Sequence, residues 1–86
     1  MVTITLMGQL ETTEGERSVL CEIAEPIPVK QLLQKQGRKL RPITRLLREK
    51  KILVTVNKRI ASEETHVHDG DEVNLVAHDG MSTKGL

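Results

Sequence analysis

Hydrophobic spacing in this chain runs at a period of two, switches to a helical period, and then returns to two; few small folds accommodate that order. Val2, Ile4 and Leu6 alternate with Thr3, Thr5 and Met7, which predicts a strand with one buried face. Gly8 to Gly15 is mostly polar and reads as a turn or loop. Val19, Cys21 and Ile23 alternate with Leu20 and Glu22, predicting a second strand in a hairpin with the first. Two prolines within Ala24 to Pro28 break that strand. Val29, Leu32 and Leu33 then recur at i, i+3 and i+4, with Gly37 where a helix would end. Pro28 suits the first helical turn because it has no amide hydrogen to leave unpaired. Leu40, Ile43, Leu46 and Leu47 predict a second, shorter helix after Arg41-Pro42.

From Ile52 the period is two again, with Ile52, Val54 and Val56 on one side and Leu53, Thr55 and Asn57 on the other. Asn57-Lys58 reads as a tight turn, because asparagine tolerates positive φ, and Arg59 to Ala61 as a short return strand. Asp69-Gly70-Asp71 is a second tight turn, with Gly70 supplying the left-handed backbone; Val73, Leu75 and Ala77 form a last strand. The expected class is α+β. A small mixed sheet of four or five strands carries one main helix across one face and a second short helix. At 86 residues this is one domain, spanning 1–77, with 78–86 as a short polar, flexible tail.

The core must be aliphatic, because the chain has no Phe, Tyr or Trp. That absence removes the base-stacking platforms of single-strand nucleic-acid binders and the aromatic cages that read methyl-ammonium groups. No apolar run is long enough to span a bilayer, and no signal-peptide pattern opens the sequence. A single cysteine forms no internal disulfide, so a reducing cytoplasm is the expected compartment.

A sheet covered by helices on one face needs only one apolar parity, yet Leu20, Leu53 and Val76 fall on the other. They are expected to form an aliphatic patch on the open face that docks a partner, unless the second helical segment or the Gly8–Gly15 loop covers it.

The stretch Leu53-Val54-Thr55-Val56-Asn57-Lys58-Arg59-Ile60-Ala61, followed by His68-Asp69-Gly70-Asp71-Glu72-Val73, resembles the β-grasp, ubiquitin-like sulfur carriers of the ThiS/MoaD type. The element order and length suit that family over most of the chain, and residues 53–76 carry the most specific likeness. The same signature is similar to TGS domains, which share the fold and act as regulatory or RNA-associated modules. Within the motif, Asn57, Asp69, Gly70 and Asp71 read as turn chemistry. Asp69 is expected to accept backbone N–H bonds in its own turn, and Asp71 to cap the other side.

The resemblance implies a protein of thiamine- or molybdopterin-type cofactor biosynthesis that catalyses nothing alone. An ATP-dependent activating (adenylyltransferase) enzyme adenylates the carrier's C-terminal carboxylate, which becomes a thiocarboxylate, and a synthase-type acceptor consumes the sulfur. Family members end in Gly-Gly, whereas this chain ends Met81-Ser82-Thr83-Lys84-Gly85-Leu86. Loss of Leu86 would expose Gly85 as the acyl donor. Cleavage after Gly80, activation of Leu86 itself, and a non-conjugating TGS-like module that binds protein or RNA are the alternatives.

Charge is distributed in thirds. Residues 1–29 carry a net −4, residues 30–59 +10 and residues 60–86 −5. Arg38, Lys39, Arg41, Arg45, Arg48, Lys50 and Lys51 crowd the second helical segment, opposite its inward leucines. The plain reading is a solvated helix surface. The functional reading is a surface for an acidic protein, with nucleic acid disfavoured because no stacking group accompanies the cations. Cys21, on the inward parity, reads as a buried inert thiol. His66, His68 and His78, with Asp69 or Glu72 nearby, could ligate a metal such as zinc; in so acidic and turn-rich a stretch the plainer reading is solvated histidines, so no metal and no cofactor is expected. No nucleophile elbow, phosphate loop or paired carboxylate marks an enzyme.

Overall fold

The computed structural model describes residues 1–77. Strand β1 (Val2–Met7) and strand β2 (Ser18–Cys21) form the expected hairpin, pairing antiparallel from Val2 opposite Cys21 to Thr5 opposite Ser18. A two-residue strand β3 (Ile27–Pro28) leads into helix α1 (Val29–Gln34). A 3-10 turn at Gly37–Leu40 then feeds helix α2 (Arg41–Arg48). Strands β4 (Ile52–Val56), β5 (Arg59–Ala61), β6 (His66–Val67) and β7 (Glu72–Ala77) complete the described chain.

The five longer strands make one mixed sheet in the order β2-β1-β7-β4-β5. Its centre is the parallel pairing of β1 with β7, the first and last strands of the domain. A parallel pair needs a crossover, and here everything between them supplies it. Alternation does the sorting. Val2, Ile4, Leu6, Val19, Cys21, Ile52, Val54, Val73 and Leu75 all face one side and are buried with Val29, Leu32, Leu33, Leu40, Ile43 and Leu47 from the helical layer. Each fully buried Leu, Ile or Val contributes about 1.5–3 kcal/mol over an exposed position, so this aliphatic layer suffices without an aromatic ring.

The elements differ from expectation in four respects. The second helix is the longer, with eight residues against six, because Gly37 at φ 63° ends the first. Pro28 precedes the helix, as its N-cap, and pairs with His66 in a two-stranded sheet of β3 and β6. That small sheet places Ile27 and Val67 in the core. It also brings the carbonyls of Thr65 and Glu63 within 2.9 and 3.0 Å of the amides of Val29 and Lys30, satisfying groups that every helix start leaves unpaired. The second strand stops at Cys21, leaving Ile23 half-buried beyond it. Finally, the Gly8–Gly15 loop is anchored, with Leu10 buried and Thr12 only 3% exposed. The Thr12 hydroxyl accepts the amides of Glu14 and Glu16 at 3.2 and 3.0 Å.

Helix α2 ends in a Schellman motif. The Lys50 amide donates to the Leu47 carbonyl at 3.0 Å and the Lys51 amide to that of Leu46 at 2.9 Å. Lys50 therefore occupies the left-handed position, at φ 62°, where glycine is the usual residue.

Candidate functional site

Two turns meet at one end of the sheet. Asn57 and Lys58 both have positive φ, 52° and 69°, as the two-residue hairpin between β4 and β5 demands. Gly70, at φ 92°, sits at the third position of a turn closed by the Asp71 amide on the His68 carbonyl at 3.0 Å. The Asn57 side chain joins them. Its amide donates to Asp71 Oδ1 at 2.9 Å, and its carbonyl accepts the Glu72 amide at 3.0 Å. Asp71 Oδ2 accepts the His68 amide at 2.8 Å. That backbone hydrogen bond, reinforced by the Asn57 amide, holds the Asp71 carboxyl below the usual aspartate range. Asp71 thus bridges the His68 amide and the Asn57 side chain. Asp69 is not a turn acceptor: its exposed carboxylate pairs with the Met1 ammonium instead.

At the other end of the sheet the register selects the apolar residues of the open face. Val76 is paired with Leu53 on one side and with Met7 on the other. Met7, Val76 and Leu53 thus form one cross-strand row over β1, β7 and β4, next to Ala77, from which residues 78–86 continue. The predicted patch is split. Leu20, 65% exposed, pairs with Thr3, which pairs with Glu72. That row lies four residues from Val76 along β7, about 13 Å at strand rise, and two strands across. Ser18, Thr5, Asn74 and Thr55 form a polar row between them that ends on Ile60, which is 81% exposed on the edge strand. Neither helix covers this face, since both pack on the opposite one.

Met7 and Ile60 escaped the sequence reading. Met7 was visible on the outward parity, but its value depends on standing beside Val76, and that parallel pairing joins residues with most of the chain between them.

The basic block divides as well. Lys39 Nζ lies 3.2 Å from Glu16 and 4.0 Å from Glu14, and Lys51 Nζ lies 3.5 Å from Glu49. Arg38, Arg41, Arg45, Arg48 and Lys50 meet no carboxylate among the described residues. Arg41, Arg45 and Arg48 share the exposed stripe of α2, opposite the buried Ile43 and Leu47.

Cys21 is buried, 2.9 Å from the side-chain nitrogen of Gln36. Among the described residues no group of three His, Cys, Asp or Glu side chains could hold a metal ion, and no helix is long and apolar enough to cross a membrane. His78, Gly85 and Leu86 lie outside the described residues.

A five-stranded mixed sheet, with its first and last strands parallel at the centre and helices across one face, defines a β-grasp, ubiquitin-like domain. The ThiS family model matches residues 4–78, nearly the whole domain, and the chain belongs to that family of small sulfur-carrier proteins. Comparison with curated proteins returns no match.

Proposed function

We propose that the protein carries sulfur as a C-terminal thiocarboxylate for cofactor biosynthesis of the thiamine or molybdopterin type, and that Gly85 becomes the acyl donor once Leu86 is removed. An ATP-dependent activating enzyme adenylates the carboxylate and releases pyrophosphate. A sulfur donor then displaces AMP, and a synthase-type partner takes the sulfur. A glycine terminus suits this chemistry, because no Cβ stands beside the carbonyl under attack. The carrier contributes no catalytic side chain. It acts in the cytoplasm, where its single thiol stays reduced.

The observation that carries this reading, beside family membership, is the position of the Met7–Val76–Leu53 row. It is apolar, lies on the face opposite both helices, and borders the end of β7 that leads into the C-terminal segment. An enzyme that grips this row holds the domain at the strand end from which the terminal segment leaves. Contact there is aliphatic, without aromatic anchors, so several side chains must share the binding energy.

Intact mass of the protein from its native host tests the reading. The expected species lacks Leu86, and part of it shows the mass gain of an oxygen-to-sulfur exchange. A population that stays full length with an ordinary carboxylate, even with ATP and the host's activating enzyme, would sink it.

A further inference from the structure

The exposed stripe of α2 crowds like charges on one helix face. Arg41 and Arg45 are four residues apart and Arg45 and Arg48 three, so each neighbouring pair puts like charges together. Arg41 also stands at the first position of α2, where the helix dipole disfavours a cation and no acidic residue occupies the first turn, whereas Arg45 and Arg48 lie in the last turn, where the dipole favours them. Three cations elsewhere are neutralised, Lys30 by Glu64 at 3.0 Å, Lys39 by Glu16 and Lys51 by Glu49, while others such as Arg38 and Lys50 are not, among the described residues. The three stripe arginines have no such partner among the described residues. Local choices that work against the fold mark positions kept for another purpose.

From this arrangement we infer that the Arg41–Arg45–Arg48 face of α2 binds an acidic protein surface. The stripe spans about 10 Å at helical rise, room for two or three carboxylates of a partner. All three cations are arginine, whose planar fork matches a carboxylate with two parallel hydrogen bonds. Beside the stripe, Gln34, Gly37 and Thr44 line with Arg41 and Arg48 an open depression of about 220 Å³. Thr44 turns its hydroxyl back to the Leu40 carbonyl at 3.0 Å, so the arginines provide the depression's charged donors. The chain has no ring on which a base could stack. Because α2 packs on the helical side of the sheet, this face points away from the Met7–Val76–Leu53 row, and filling one leaves the other open. The inference is independent of the carrier chemistry, which the terminal mass tests separately.

The test uses the full chain with two probes, a deca-glutamate peptide and a single-stranded RNA decamer, read by amide and guanidinium chemical shifts. Glutamate-induced shifts are expected to centre on residues 41–48, with peptide affinity falling several-fold between 50 and 200 mM salt. R45E and the milder R45Q should each weaken the peptide about tenfold or more. R41E should weaken it similarly while raising the folding equilibrium constant about threefold, since it removes a repulsion and suits the helix start. Shifts centred elsewhere, tighter binding of the RNA than of the peptide, or unchanged peptide affinity in R45Q would overturn the proposal.

Discussion

Asn57 and Asp71 lie fourteen residues apart and are joined side chain to side chain, the Asn57 amide donating to Asp71 Oδ1 at 2.9 Å. The bond stitches the β4–β5 turn to the turn that launches β7. It therefore fixes β7 against β4 at one end, and the same register sets Val76 beside Leu53 at the other. A slip of one residue would turn Val76 into the core and Leu75 out to solvent. These turn residues carry no chemistry, yet they determine which side chains a partner meets.

Asn57→Ala and Asp71→Ala should each cost about 1–2 kcal/mol, because each leaves amide or carboxylate partners unsatisfied. Together they should cost less than the sum, with a coupling of about 0.5–1.5 kcal/mol in urea unfolding. Strict additivity would show that the bond contributes nothing.

The same carboxylate makes stability depend on pH. Its folded pKa is depressed, first by the His68 amide and then by Asn57. The stabilisation is therefore complete above the unfolded aspartate value of about 4 and disappears as pH falls through the lower folded value. Urea midpoints of the wild type and Asp71→Asn should differ most near neutrality and converge toward pH 2. A constant gap across that range would contradict the assignment.

Lys50 holds a left-handed conformation at the end of α2 that glycine adopts without strain. Lys50→Gly should stabilise the domain by about 0.5–1 kcal/mol in thermal or urea unfolding, the reverse of the usual effect of introducing glycine. A loss of stability would mean that the Lys50 side chain makes a contact worth more than the backbone strain.

Activation of the C-terminus should separate the residues of the open face. Leu53→Lys and Val76→Lys should lower kcat/KM for adenylation by the host's activating enzyme about tenfold or more, with folding changed by at most about 1 kcal/mol. Leu20→Lys, two rows away, should leave the rate unchanged. Equal loss in all three would restore the single patch that hydrophobic parity alone suggests.

Local pattern alone showed the inward parity of the longer strands, where the chain reverses and that helices divide two sets of strands. Those features rest on local physics: the alternation of Val2, Ile4 and Leu6, the positive φ that Asn57 and Gly70 accept, and the spacing of Leu32 and Leu33. It did not reveal β3 and β6, since two residues are too few to show a period and their backbone pairing is nonlocal. Nor could it place Met7 beside Val76 or set Leu20 apart from Leu53. Parity assigns a residue to a face, whereas register across non-consecutive strands assigns its neighbours. For the charges too, the sequence counted the cations, and only the folded chain showed that Lys39 and Lys51 find carboxylates while Arg41, Arg45 and Arg48 face outward together. Binding surfaces on this domain come from residues distant in sequence, and only the tertiary structure brings them together.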